Sequence, residues 1–210
     1  MLYAIGKTLS WLVAKVFGRL QVVGRENIPR EGGALICANH VSYADPPVLG
    51  VGAPRRLHYM AKTELFKIPI LGFLIKRVGA FPVHQRAADR QALRTAVEYL
   101  SKGEVVGMFP EGQRMLDGKL GEALPGVGMI ALRAKVPVIP AALINTNKLL
   151  PPHHILPRFS RVKVIYGKPV PLEDLHDQSG REAVEEVGKR IMAAIGALIE
   201  RESQRESPKR

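Results

Sequence analysis

The sequence predicts an α/β fold in which a mixed β-sheet carries helices on both faces, with an amphipathic helix at the N-terminus. Two observations lead to this prediction. Short apolar runs, each long enough for one strand, alternate along the chain with segments of helical spacing. The chain has 210 residues, of which 46% are hydrophobic and 24% charged, and this size and composition suit one folded domain.

Residues 1–20 have the periodicity of an amphipathic helix. Its larger apolar side chains share one face: Leu2, Ile5, Leu9, Leu12, Val13, Val16 and Leu20. Thr8, Lys15 and Arg19 lie opposite, and the charges leave no uncharged stretch near the roughly 20 residues that span a bilayer. The basic polar face favours a helix lying in the plane of a membrane surface. Packing on the domain core is the alternative, because periodicity alone does not separate the two.

Predicted strands and helices interleave through the main domain, residues 21–200, and the polar tail 201–210 is predicted to fray. The predicted strands are residues 34–38, 58–61, 80–83, 105–109, 138–143 and 161–166. The predicted helices are one that starts near Pro46 and three at residues 91–102, 129–135 and 181–200. In such sheets, active residues collect in the loops beyond the strand ends.

The charge of the chain restricts its partners. Lys and Arg number 31 against 19 Asp and Glu, giving +12, so the surface attracts anions. Aromatic residues are only 6% and no nucleic-acid recognition motif occurs, which favours a membrane surface or a phosphorylated substrate over nucleic acid. The single cysteine, Cys37, lies inside a predicted strand and is interpreted as a buried thiol.

Polar residues follow the first predicted strand abruptly. Asn39 and His40 come directly after it, and Pro46 predicts that a helix starts beside Asp45. A loop of this length can let the Asp45 carboxylate accept a hydrogen bond from one imidazole nitrogen of His40, leaving the other nitrogen free as a base. No G-x-S-x-G motif is present, so the base would act on a substrate hydroxyl. A surface histidine followed by a helix cap is the alternative.

A second polar segment follows the strand at 105–109. It reads Pro-Glu-Gly-Gln-Arg, and within it Glu111 could hydrogen-bond hydroxyl groups while Arg114 could hold a phosphate. The alternative for this segment by itself is a Pro-Gly turn with solvated charges.

Together these segments resemble the 1-acyl-sn-glycerol-3-phosphate acyltransferase family, which acylates lysophosphatidic acid and glycerol 3-phosphate. Four family motifs occur in order: Asn39-His40 with Asp45, residues 79–86 ending at Arg86, Phe109-Pro110-Glu111-Gly112, and Val-Pro-Val-Ile-Pro at 136–140. The resemblance covers roughly residues 20–170, and four motifs in family order are far more specific than one. Two residues separate Val83 from Arg86 where the family usually has one. Lys62 also matches a family segment.

The resemblance implies the chemistry. The fold would be glycerol-phosphate acyltransferase-like, with the acyltransferase domain at 21–200. His40 would deprotonate the hydroxyl of lysophosphatidic acid, which attacks acyl-CoA or an acyl carrier protein thioester to give phosphatidic acid. Asp45 would orient His40, and no metal or further cofactor is implied. The implied substrate-binding residues are Asn39, Lys62, Arg86, Glu111, Gly112 and Arg114.

Alternatives to this function remain open. The acceptor could be another lysophospholipid or an acylated amino-acid lipid, and more distant alternatives are a His-dependent hydrolase and a non-catalytic domain that binds anionic lipid. We expect a peripheral membrane protein on the cytoplasmic face of the plasma (inner) membrane. The apolar run 65–79, with basic edges, is either a core or crossover helix or a second element that contacts membrane or acyl chain.

Overall fold

The computed structural model describes residues 2–84 and 89–206, without the side chains of residues 2–5 and 206. Within these ranges a seven-stranded sheet forms the centre of the molecule. Its strands are β1 (Gln21–Val23), β2 (Ala34–Ala38), β3 (Leu57–Lys62), β4 (Ala80–Val83), β5 (Val105–Met108), β6 (Val138–Ile144) and β7 (Lys163–Tyr166). The spatial order is β1-β7-β6-β2-β5-β3-β4, and all neighbours are parallel except β6 and β7. The prediction of a mixed sheet is therefore confirmed.

Helices cover both faces of this sheet, as predicted. They are α1 (Leu2–Val16), α2 (Asp45–Gly52), α3 (Pro69–Arg77), α4 (Arg90–Ser101), α5 (Pro125–Ala134), α6 (Thr146–Leu149) and α7 (Arg181–Glu206). Short 3-10 helices occur at Arg25–Asn27, Thr63–Lys67 and Glu173–Leu175. Buried side chains of α1 and α2 belong to the apolar cluster on one face, and those of α4, α5 and α7 belong to the cluster on the other.

Strand β2 lies in the middle of the sheet and explains the unbroken apolar run that predicted it. All five of its residues are fully buried, with Ile36 facing one apolar cluster and Leu35 and Cys37 facing the other. A central parallel strand covered on both faces needs apolar side chains at every position. Because β2 is parallel to β3, β4, β5 and β6 in this sheet, their carboxyl ends share one edge, where functional residues of α/β proteins collect.

Helix α1 packs on the body of the protein through only part of its surface. Ala14 is buried against the body of the protein, and Gly6 lies so close to Val78 that an added Cβ would be 3.5 Å from Val78 Cγ1. The larger apolar side chains face outward, with Leu9 62%, Leu12 51% and Val16 48% exposed. Small residues thus pack against the domain, and Leu9, Leu12 and Val16 of the predicted apolar face stay exposed. In the described ranges, no helix has the length and apolar character to cross a bilayer.

The run at 65–79 is not a core helix. Its α-helical part, α3, crosses over between β3 and β4 and buries only Gly72. Ile70 is 76% and Phe73 50% exposed, so the apolar residues that suggested a core position point to solvent.

Two terminal segments differ from expectation. The three-residue edge strand β1 has no alternating apolar pattern and was not predicted, since all its residues are exposed. The tail predicted to fray is helical through Glu206, because the buried carboxylate of Glu202 pairs with the Lys163 ammonium of β7. Residues 207–210 lie outside the described residues.

Candidate active site

His40 and Asp45 lie together at the carboxyl end of β2, a contact that their spacing allowed and the family resemblance implied. Nδ1 of His40 is 2.7 Å from Oδ2 of Asp45. The Asp45 side chain is fully buried, whereas that of His40 is 17% exposed. An ionised carboxylate accepts hydrogen bonds only, so Nδ1 carries the proton and Nε2 is the basic nitrogen. No described residue bonds to Nε2, which leaves it available to a substrate.

The Asp45 carboxylate also shapes the loop that carries His40. Its Oδ2 accepts the backbone N–H groups of Val41 and Ser42, at 2.6 and 2.7 Å. Asp45 is the first residue of α2, but its carboxylate turns back into the loop and away from the first turn of the helix. The helix-cap alternative is therefore wrong: this side chain binds the loop and the imidazole.

A second loop, residues 109–121, holds His40 from the other side. The Phe109 ring stacks on the imidazole with 4.1 Å between ring centroids. The backbone N–H of His40 donates to Oε2 of Glu111 at 2.8 Å. The backbone carbonyl of His40 accepts the N–H of Met115 at 2.7 Å. The ring, the N–H and the carbonyl of His40 thus each have a contact that holds the imidazole in one position.

Glu111 is therefore engaged with the protein itself. It is only 5% exposed, and its second oxygen accepts the N–H of Gly121 at 3.0 Å. Burial raises the pKa of its carboxyl group, and the N–H groups of Gly121 and His40 act in the opposite direction. The predicted contact with a substrate hydroxyl is not favoured by this geometry, and Glu111 is better described as positioning His40. Sequence reasoning missed this because Gly121 lies ten residues further along the chain.

Asn39 has a similar positioning contact in place of the predicted substrate contact. It is 5% exposed, and its amide both donates to the Leu143 carbonyl at 3.1 Å and accepts the Leu143 N–H at 2.8 Å. This pair of hydrogen bonds ties the end of β2 to β6 directly before the loop that carries His40. Both polar ends of the side chain are used, so substrate binding by Asn39 is not favoured.

Basic residues at the same edge match the expected phosphate-binding set in part. Lys62 ends β3 and is exposed. The Arg114 guanidinium lies over the Tyr43 ring, 3.5 Å from its centroid, and Tyr43 itself is 62% exposed. The contact of Tyr43 with Arg114 was not predicted. An aromatic residue between His40 and Asp45 was the sequence feature that could have indicated it. The predicted Arg86 lies outside the described residues.

Gly112 is required by the backbone of the second loop. Its φ is +66°, and an added Cβ would lie 2.3 Å from Leu124 Cδ1. Glycine adopts this conformation without strain, and its lack of a Cβ leaves that space to Leu124. A role in shaping the site through the backbone is consistent with its predicted place there.

The described residues contain no group of three or more His, Cys, Asp or Glu side chains arranged to hold a metal ion. What they do bring together is an oriented imidazole with a buried carboxylate behind it and cations at the same sheet edge. This arrangement suits removal of a proton from a hydroxyl group of an anionic substrate.

Comparisons with known proteins identify similar chains. A family model described as Acyltransferase matches residues 19–144. The chain is 31% identical over 194 residues to the 1-acyl-sn-glycerol-3-phosphate acyltransferase of Bacillus subtilis, covering 90% of this chain and 89% of that protein. A chloroplastic 1-acyl-sn-glycerol-3-phosphate acyltransferase of Arabidopsis thaliana is 33% identical over 159 residues, which are 73% of this chain and 44% of the longer plant protein.

A solved structure is also similar. The crystal structure of the 1-acyl-sn-glycerophosphate acyltransferase PlsC from Thermotoga maritima superposes with a TM-score of 0.70 at 32% identity, covering 93% of this chain and 78% of that one.

Proposed function

Because the chain belongs to the 1-acyl-sn-glycerol-3-phosphate acyltransferase family, we propose that it moves a fatty acyl group from an acyl thioester to the free hydroxyl of lysophosphatidic acid, forming phosphatidic acid. The observation that carries the proposed mechanism is the 2.7 Å bond between His40 Nδ1 and the buried Asp45 carboxylate. That bond leaves Nε2 of His40 as a base at the carboxyl edge of the sheet.

In the proposed reaction, His40 Nε2 takes the hydroxyl proton of the acceptor as its oxygen attacks the thioester carbonyl. The tetrahedral oxyanion then collapses, the C–S bond breaks, and the leaving thiolate takes the proton back from the imidazolium. Asp45 stabilises that imidazolium electrostatically and keeps the ring in one tautomer. The acyl donor is coenzyme A or acyl carrier protein thioester, and the reaction as proposed uses no metal and no other cofactor.

Direct transfer is supported by the state of the thiol and of the aliphatic hydroxyl nearest to His40 in the sequence. Cys37 is fully buried inside β2, and burial raises the pKa of its thiol far above neutral. Ser42 is 2% exposed, and its hydroxyl donates to the Leu150 carbonyl at 2.9 Å. Neither group is available to carry the acyl chain, which favours the substrate hydroxyl as the attacking group.

The phosphate of the acceptor is proposed to bind the basic residues beside the dyad. A guanidinium offers several N–H donors in one plane, and stacking of Arg114 on Tyr43 holds that plane at the mouth of the site. Lys62 supplies a second exposed cation from the end of β3. Arg86 is retained in this role on its match to the family motif alone.

Attachment to a membrane surface is proposed through α1. Its uncovered face, formed by Leu9, Leu12 and Val16, would enter the lipid boundary, and exposed Lys15 would meet anionic headgroups. We propose the cytoplasmic face of the plasma membrane as its location, because the chain carries a net charge of +12.

The test is thiol release from an acyl thioester in the presence of a panel of lysolipids, with lipid products identified. Lysophosphatidic acid is expected to give the fastest release, and His40→Ala to abolish it with the folded circular-dichroism signal retained. Faster release with another lysolipid would identify that lipid as the acceptor, and release without any acceptor would indicate a hydrolase. Unchanged activity of His40→Ala would refute the proposed base.

A further inference from the structure

The loop of residues 151–159, called here the apolar loop, presents large apolar side chains to solvent. Ile155 is 92%, Leu156 73% and Phe159 73% exposed. The loop nevertheless has a fixed shape, because the Arg158 N–H donates to the Leu149 carbonyl at 2.7 Å. Exposed apolar groups concentrated on one ordered loop are typical of a surface that contacts another apolar phase.

The apolar loop adjoins the catalytic loop at one end and α1 at the other. Ser42, which lies between His40 and Asp45, donates to the carbonyl of Leu150 at 2.9 Å. The Phe159 ring packs on Phe17, with 5.1 Å between centroids, one residue beyond the end of α1. A surface that holds both α1 and the apolar loop would therefore lie beside the catalytic base.

The charge around the apolar loop has one sign. No Asp or Glu occurs between Glu122 and Glu173 in the sequence. Arg158 lies within the loop, Lys148 precedes it and Arg161 follows it, and all three side chains are exposed. This arrangement suits an anionic bilayer: protruding apolar side chains would enter the hydrocarbon boundary, and the flanking cations would meet the phosphates outside it.

We propose that the apolar loop inserts into the headgroup boundary of an anionic lipid bilayer and that the acceptor lipid reaches His40 from that bilayer beside it. The inference rests on the proposed function, because it assigns the route by which a lysolipid enters that same site. An acidic carrier protein would be attracted by the three cations but offers no apolar phase for Ile155 and Leu156, so the bilayer is favoured as the partner.

The test compares Ile155→Ser/Leu156→Ser with the apolar-conserving control Ile155→Val/Leu156→Met in the full chain. Binding is measured by sedimentation with vesicles of phosphatidylcholine and phosphatidylglycerol. Turnover is measured with two acceptors, each with an acyl-CoA and with an acyl carrier protein thioester as donor. One acceptor is a long-chain lysophosphatidic acid in these vesicles, and the other is a short-chain form that stays monomeric in water. The substituted side chains are exposed, so the fold is expected to be unaffected.

Ile155→Ser/Leu156→Ser is expected to lower the vesicle partition coefficient by about tenfold or more. Turnover of the vesicle-held acceptor is expected to fall as binding falls. Turnover of the monomeric acceptor is expected to stay at the wild-type level, and the control pair to behave as wild type throughout. Unchanged vesicle binding by the serine pair would overturn the inference. So would equal loss with both acceptors, or a loss seen only with acyl carrier protein as donor.

These outcomes are separable from failure of the proposed function. If wild-type protein transfers no acyl group even to the monomeric acceptor, the proposed function fails. If wild-type protein does acylate the monomeric acceptor and Ile155→Ser/Leu156→Ser still binds vesicles normally, only the inference about the apolar loop fails.

Discussion

Replacement of Asp45 by Asn isolates the charge of the dyad from its shape. One oxygen of Asp45 accepts three hydrogen bonds, from His40 Nδ1 and from the N–H groups of Val41 and Ser42, at 2.7, 2.6 and 2.7 Å. The other oxygen is buried without a hydrogen-bond partner among the described residues. The amide of Asn can keep its carbonyl at the first position and place its NH₂ at the second, so the loop is retained while the negative charge is lost.

The magnitudes of the two effects differ greatly. An unpaired NH₂ in a buried position costs about 1–3 kcal/mol of stability. Loss of the carboxylate leaves the imidazolium of His40 uncompensated in the transition state, and the same exchange in a Ser-His-Asp triad lowers kcat by about 10⁴. We expect Asp45→Asn to lose at least about 10³ in kcat/KM and to stay folded. Asp45→Ala, which removes all three acceptor contacts, is expected to be much less stable.

The assay is thiol release over a range of lysophosphatidic acid concentrations, which gives kcat/KM, together with thermal unfolding of each variant. The reasoning would be refuted if folded Asp45→Asn kept more than about a tenth of wild-type kcat/KM, because the carboxylate charge would then contribute less than about 1.4 kcal/mol to the transition state.

Three further predictions concern neighbouring groups. Glu111→Gln is expected to lower kcat by about ten- to a hundredfold with little change in the KM for the acceptor, because it disturbs the bond to the His40 backbone. A raised KM with unchanged kcat would instead support acceptor binding by Glu111. Tyr43→Ala is expected to raise that KM several-fold by freeing Arg114, whereas Tyr43→Phe keeps the ring and should match wild type. Asp89 caps α4, and backbone hydrogen bonds lower the pKa of its carboxyl group to about 2, so its stabilisation is present above about pH 4 and is lost as the pH falls towards 2. The Tm difference between wild type and Asp89→Ala should shrink over that range, and a constant difference would contradict the assignment.

The central part of the fold was predictable because local pattern and tertiary context agree there. Residues 34–38 form a central strand that needs apolar side chains on both faces, and its bounds were predicted correctly. The abrupt change to polar residues at Asn39 also located the end of this strand correctly. Where a segment is buried on every side, each of its positions needs an apolar residue, so its sequence alone indicates its environment.

Other elements depend on contacts that no local pattern records. Strand β1 is short and exposed, so it has no periodicity to detect. Helix α3 is the crossover between β3 and β4, and hydrophobicity alone could not show that Ile70 and Phe73 would be exposed there. The direction of β7, antiparallel to β6, also follows from tertiary packing and not from its own residues.

The candidate site shows the same division. The pairing of His40 with Asp45 is local, because a spacing of five residues allows the two side chains to meet. The partners of Asn39 and Glu111 lie in other loops, at Leu143 and Gly121, and these contacts changed the expected substrate contacts into positioning ones. Sequence alone indicates that such polar side chains matter, but their hydrogen-bond partners decide how they act.

Intact-mass measurement combined with thiol release, using an acyl thioester with and without lysophosphatidic acid, tests the central claim most directly. The account predicts that wild-type protein gains no acyl mass and releases thiol only when the acceptor is present, with both release and phosphatidic acid lost in His40→Ala. A stoichiometric acyl-protein adduct that forms without acceptor and passes its acyl group to lysophosphatidic acid would contradict it, because His40 would then serve a nucleophile of the protein and not the hydroxyl of the acceptor.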